Sequence, residues 1–401
     1  MSAFSALAAT ALTLALASGP SGAAFYSPPQ PLPPGRHGDV IWTRPLTTAA
    51  ALPSAASNTL VLYHTTALDG SDRAVSGTVS IPRGTPPAGG WPVISWAHGT
   101  TGDAAACTPS LDTADAPEHD YLGPIQPLLD RLVAAGYAVV ATDYEGQGTP
   151  GVHPYLIGTD EARDTIDMVR AARQIEPHLS SRWVVMGHSQ GGHAVLFTLA
   201  QAAAWAPELS LLGGVAEAPG AFISPFILSM TKTSSPTPAF AFAVLFMEAA
   251  AATDPAVKLD RVLAPGALAL LPQTQVRCAG GLYKADSIGG LVPSASFRSD
   301  ADLGPLMHVA AANDAAALHL ALPLLIVQGT ADTTVPRASS DALDQALCAS
   351  GAAVQYEVYQ GLTHREIVGG AATDALTWVR ARFGGSGAPS NCGGAPVVHG
   401  T

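Results

Sequence analysis

The sequence predicts an α/β protein with a mainly parallel central sheet flanked by helices and a helical insertion ahead of the last strands. Two patterns carry that prediction. From residue 91 onward, short apolar runs alternate with glycine-bearing loops and helical stretches, and strands that are apolar throughout need cover on both faces of a sheet. Between residues 218 and 321 the alternation stops and then resumes, which reads as a separate helical layer set on the sheet. Composition agrees, since 48% of residues are hydrophobic and only 12% charged, against about 25% charged in an ordinary soluble domain.

Taken in order, Ala3 to Ser18 is almost wholly small and apolar and is followed by small residues at Gly22 and Ala24. Residues 1–24 therefore read as a signal peptide cut before Phe25, although no Lys or Arg precedes the run, and the protein reads as exported. The run is short for a membrane span, so no stable span is expected. Phe25 to Pro34 is a proline-rich lead-in, unsuited to helix or central strand, so that folded structure is expected to start later. Val40–Trp42, Thr59–Tyr63 and Ala74–Ile81 suit a mainly antiparallel start. Next come the strand Trp91–Trp96, the loop His98–Gly102, a helical stretch Ile125–Ala135, and the strand Gly136–Thr142. A helical stretch Ala162–Gln174 and the strand Arg182–Met186 follow, within a first core part placed at 25–217. The cap is placed at 218–321; its apolar run Phe240–Met247 suits either an acyl-facing surface or the cap's own core. Strands Leu322–Val327 and Val354–Tyr359 belong to a second core part, 322–383, and residues 384–401 form a Gly/Ser/Ala/Pro-rich tail, floppy unless Cys392 holds it.

Charge and cysteine use narrow the function. Asp and Glu number 31 against 19 Lys and Arg, a formal net charge of −12, with no basic run; nucleic acid is thus not an expected partner. Cys107, Cys278, Cys348 and Cys392 are even in number and form no C-x-x-C pair. That fits two disulfides better than zinc, with three pairings open. No phosphate-cradling loop or metal-ligand spacing occurs, so no cofactor or metal is expected. Oligomeric state is not legible.

The segment that carries chemistry is Val184-Val185-Met186-Gly187-His188-Ser189-Gln190-Gly191-Gly192, an apolar strand running through G-x-S-x-G into a helical pattern. Such a turn lifts the serine hydroxyl above the sheet. A hydroxyl becomes a nucleophile only when a positioned base takes its proton and a carboxylate orients that base. In this topology the order is Ser, then Asp or Glu, then His. Asp332 follows the strand ending at Val327, and His364 follows the strand ending at Tyr359; Asp341 and Asp344, on a helical stretch, are the weaker rivals to Asp332. The oxyanion of acyl transfer needs two aimed amides. Gln190, after the nucleophile, supplies one, and the loop His98–Gly102 the other, with Thr100 first and Thr101 or Gly102 as alternatives.

Together these residues resemble the secretory lipase family: His98-Gly99-Thr100-Thr101-Gly102 with Cys107 soon after, Asp143-Tyr144-Glu145-Gly146 with Gly148, the elbow Gly187 to Gly192, Gly329-Thr330-Ala331-Asp332 and Thr363-His364. The resemblance implies the α/β-hydrolase fold with a helical cap, disulfides Cys107–Cys278 and Cys348–Cys392, and hydrolysis of acylglycerol and other esters, at an oil–water interface or in solution. The expectation is a secreted serine lipase with Ser189 as nucleophile, His364 as base and Asp332 as its orienter. A short-chain carboxylesterase or polyester hydrolase would share every one of these residues. A serine peptidase or a catalytically silent binding module are the remaining readings.

Overall fold

The computed structural model describes residues 16–400; most of the apolar run assigned to the signal peptide therefore lies outside the described residues. Among the described residues ten strands form one sheet, in the order β1-β2-β3-β5-β4-β6-β7-β8-β9-β10. They are β1 Val40–Pro45, β2 Ala55–Thr66, β3 Asp72–Pro82, β4 Trp91–Ala97, β5 Ala138–Thr142, β6 Leu179–His188, β7 Ser210–Glu217, β8 Leu324–Gly329, β9 Val354–Tyr359 and β10 Val397–His399. The pairs from β1 through β3 to β5 are antiparallel, and every pair from β5 to β10 is parallel.

Side-chain alternation along the central strands explains why the sheet is covered on both sides. Val93, Trp183, Val185, Ala216, Leu324 and Ile326 belong to one buried cluster, with the helices Gly158–Ile175 and Gln190–Trp205. Ile94, Trp96, Val184, Met186, Val215, Leu325 and Val327 face the other way, onto the helices Gln126–Ala134 and Ala372–Phe383. The helix Gly158–Ile175 starts with Asp160 and Glu161 in its first turn and stops just before Pro177, as the helix dipole and the proline restriction demand.

Between β7 and β8 the described chain is helical apart from one β-bridge, Leu263 to Phe297, the longest helices being Ile223–Met230, Ala239–Thr253 and Gly304–Ala312. Apart from Glu248 and the terminal Thr253, Ala239–Thr253 is apolar on every face, and so is largely enclosed by its neighbours. Phe240, Val244, Phe246 and Met247 pack in the cap's own core, joined there by Tyr155, Leu156 and Ile157. Of its aromatic residues Phe242 alone lines the cavity beside Ser189. Disulfides join Cys107 to Cys278 and Cys348 to Cys392, the two bonds that the family resemblance implies.

Three features depart from the sequence reading. Strand β7 was not among the expected strands, because Gly213 and Gly214 interrupt its apolar pattern. The tail carries β10, paired parallel to β9, with Asn391 bonded to Tyr356 and Cys392 anchored nearby. Ordered structure also starts before the proline-rich lead-in: Ala17 and Gly19 bond to Thr43 of β1, and a short 3-10 helix Gly22–Tyr26 buries Phe25 and Tyr26. Among the described residues no helix is long and apolar enough to cross a membrane.

Candidate active site

At the end of β6 the chain reverses into the helix Gln190–Trp205 through Ser189, whose φ of 59° and ψ of −114° place a non-glycine residue in a sparsely populated region. The turn closes only because its neighbours lack side chains. A Cβ at Gly187 would lie 2.4 Å from the Gly191 carbonyl oxygen, and one at Gly191 would lie 1.9 Å from that of Ala97. The strained residue is clamped by its own backbone, since Ser189 N–H donates to Glu217 O at 2.8 Å and Gly220 N–H donates to Ser189 O at 3.2 Å.

Three strand ends converge here. Ser189 Oγ lies 2.9 Å from His364 Nε2. His364 Nδ1 lies 2.7 Å from Asp332 Oδ2. Asp332, in the loop after β8, is 6% exposed; its Oδ1 accepts from Thr334 and Val335 N–H at 2.8 and 2.9 Å, and its Oδ2 also accepts from Gln328 Nε2 at 2.9 Å. Burial pushes the Asp332 carboxyl up, but the hydrogen bond and charge of His364, then the Val335 and Gln328 donors, outweigh it and hold the group below the usual carboxylate range. Gln328 is fixed in turn by Ser340 Oγ–H at 2.7 Å. Neither Asp341 nor Asp344 takes that place: Asp341 pairs with Arg337 and accepts from Tyr356, and Asp344 contacts Cys348.

Gln190 is the first residue of the elbow helix, where a backbone N–H has no partner within the helix. Its side chain points down into a buried network, donating from Nε2 to Glu161 Oε1 at 2.9 Å and to His153 Nε2 at 2.8 Å. Burial drops the His153 pKa to about 3, so the ring is neutral and carries its proton on Nδ1 toward Glu145 O. Glu161 also bonds to His193 at 2.9 Å and to Leu156 N–H at 2.9 Å. Thr100 lines the cavity at Ser189 and His364, with its Oγ1 2.8 Å from Tyr155 Oη. Thr101 and Gly102 turn instead toward the cap, where Thr101 O accepts from Ala279 N–H at 2.9 Å and Gly102 lies against the Cys278 backbone.

Two cavities flank Ser189. One, of about 130 Å³, is walled by Gln190, Gly220, Phe222, Ile223, Phe226 and Phe242 among others. The other, of about 60 Å³, lies on the His364 side with Thr100, Tyr121, His188, Tyr283 and Arg365. Phe242 and Thr334 border both. Beneath the site, Glu217 is fully buried, neither of its carboxylate oxygens meets a hydrogen-bond partner among the described residues, and burial pushes its pKa well above the usual range. His188 and His193 flank Ser189 closely in sequence, but nothing in the sequence indicates their partners Tyr121 and Glu161. Those partners lie 67 and 32 residues away along the chain and share no periodic signal.

This constellation can be set beside known proteins. Residues 125–391 match the family model described as "Secretory lipase". Lipase A of Moesziomyces aphidis is 27% identical over 199 residues, 47% of this chain and 41% of that protein. A Mycobacterium tuberculosis protein named as a probable inactive lipase is 28% identical over 209 residues, 50% of this chain and 46% of that one. The matched stretch thus spans less than half the length of each of these curated relatives. In fold, the chain is similar to Candida antarctica lipase A in its closed state, with a TM-score of 0.74 at 19% identity over 91% of this chain and 86% of that one. The sheet order and capping helices are those of an α/β-hydrolase fold, and with a family model that matches well over half its length, the chain belongs to the secretory lipase family.

Proposed function

We propose that this protein is an exported serine hydrolase that cleaves carboxylic ester bonds of acylglycerols through an acyl-enzyme. The observation that carries the reading is the hydrogen-bonded line from Ser189 Oγ through His364 to Asp332 at a strained elbow open to an apolar cavity. In this reading Ser189 Oγ attacks the ester carbonyl carbon while His364 Nε2 takes its proton. Asp332 holds the imidazole tautomer and faces the imidazolium that forms. The tetrahedral oxyanion sits between the amides of Gln190 and Thr100, and its collapse expels the alcohol, which takes the proton back from His364. Water then repeats the sequence to release the acid.

Because His364 must protonate the departing alcohol, the smaller cavity on its side suits the alcohol, and the larger one beside Gln190 suits the acyl chain. A second reading, a short-chain carboxylesterase, is favoured by one observation: a space of about 130 Å³ compares with the ~150 Å³ that holds a benzene ring. Long acyl chains would need Phe242 and its cap helix to move away from Ser189. The two disulfides and the family model support export. Hydrolysis of p-nitrophenyl esters from acetate to palmitate by the wild type and Ser189→Ala tests the proposal. Turnover lost in the variant supports the mechanism, and the chain-length profile separates lipase from esterase. Equal turnover by both proteins would refute the proposal.

A further inference from the structure

The residue just before the nucleophile, His188, is fully buried and takes no part in the proton transfers above, yet every polar atom of its ring is engaged. Its Nε2 lies 2.7 Å from the carbonyl oxygen of His364, and its Nδ1 lies 2.8 Å from Tyr121 Oη. Tyr121 Oη in turn accepts the N–H of Gly99 at 3.0 Å. Gly99 adjoins Thr100, so one line of hydrogen bonds runs from the oxyanion loop through the elbow to the peptide of the base.

Chemistry gives this line a single direction. The His364 carbonyl only accepts, so His188 Nε2 carries a proton. Burial, reinforced by the neighbouring His364, pulls the His188 pKa well below its ordinary value, so the ring is neutral and Nδ1 is a bare lone pair. Tyr121 O–H must donate into it, leaving the Tyr121 oxygen to accept from Gly99. The opposite tautomer would set a lone pair against the His364 carbonyl and strand the tyrosine proton. The fit is close at both ends: a Cβ at Gly99 would lie 2.1 Å from Tyr121 Oη, and the His188 and His364 rings sit 4.5 Å apart by centroid.

We propose that Tyr121 and His188 are positioning residues for the acyl-transfer reaction: together they lock the oxyanion loop and the backbone of His364 to one reference, the end of β6. This inference rests on the proposed hydrolase reading. Neither residue needs to touch the ester; each acts through the placement of Thr100 and His364.

The test compares Tyr121→Phe, which removes one oxygen at nearly constant shape, with His188→Gln, whose amide N–H can still reach His364 O, and His188→Leu, which cannot. Tyr121→Phe should lower kcat on p-nitrophenyl butyrate about tenfold to hundredfold with KM within about twofold, because small misplacements of reacting groups cost rates on that scale. It should also shift the downfield proton resonance of the His364 Nδ1–Asp332 bond, a signal read without substrate. His188→Gln should retain at least tenfold more kcat than His188→Leu at similar melting temperature. Wild-type kcat and an unshifted resonance in Tyr121→Phe would overturn the proposal. So would equal kcat losses in the two His188 variants that track their losses of thermal stability. Should the wild type hydrolyse no ester while Tyr121→Phe still moves the resonance, the hydrolase reading fails and only the hydrogen-bonded coupling of Tyr121 and His188 to the His364–Asp332 pair stands.

Discussion

Gly220 offers the sharpest probe of which cavity receives the acyl chain. It lines the larger cavity, a Cβ built on it meets nothing within 4 Å, and its φ lies outside the left-handed region. Gly220→Leu should therefore enter open space without backbone strain. At about 30 Å³ per water-sized group, the cavity of about 130 Å³ admits roughly four methylenes. Each methylene buried contributes about 0.8 kcal/mol, roughly fourfold in kcat/KM. From acetate to hexanoate the wild type should thus gain up to about 3 kcal/mol, on the order of two hundredfold, and level off beyond. The leucine side chain adds about four carbons and fills the space, so the hexanoate-to-acetate ratio of Gly220→Leu should fall to within about fivefold, with acetate turnover nearly kept. Steady-state kcat/KM on soluble p-nitrophenyl esters reads both numbers. An unchanged ratio in the variant would refute the acyl assignment, and a wild-type profile still climbing at palmitate would refute the short-chain limit.

Other consequences follow from single residues. Asp332→Asn removes the carboxylate that faces His364 Nδ1 and should lower kcat by about four orders of magnitude with little change in KM, as measured by single-turnover kinetics. Glu217 is an acid whose folded pKa is raised by burial. It contributes stability fully below its unfolded pKa and loses it as pH rises toward the folded value. Glu217→Gln should therefore melt progressively higher than the wild type from about pH 4.5 into the alkaline range; a pH-independent difference in melting temperature would contradict this. Replacing both Cys348 and Cys392 by Ser opens a loop of sequence separation 44 and should cost about 4 kcal/mol on the chain-entropy account, read by denaturant titration. Esterase kcat should survive, because that bond lies at the β9–β10 edge and not at Ser189.

Much of the candidate site was legible because its residues sit at strand ends with a fixed order. The G-x-S-x-G turn, the aspartate after β8 and the histidine after β9 each carry a local signal, and the structure brings Ser189, His364 and Asp332 into one hydrogen-bonded line. The loop holding Thr100 was legible for the same reason. Two strands were not. In β7 the pair Gly213-Gly214 weakens the apolar pattern, and β10 is three residues long and depends on Cys392 and β9 for its order. The apolar run Phe240–Met247 looked uniform in sequence, yet packing divides it: Phe242 meets the cavity, whereas Phe246 is fully enclosed in the cap core. A charge at Phe246 would thus disrupt the cap, not selectively weaken long-chain turnover. The buried partners Tyr121–His188 and Glu161–His193 depend on long-range register, which no local pattern records.

Whether Ser189 is the nucleophile is read by intact-mass and peptide mapping after reaction with a p-nitrophenyl alkylphosphonate. One label per chain, release of one p-nitrophenolate, attachment at Ser189 and no labelling of Ser189→Ala are expected. A label on another residue, or no label on a folded wild-type protein that still hydrolyses esters, would contradict that role for Ser189.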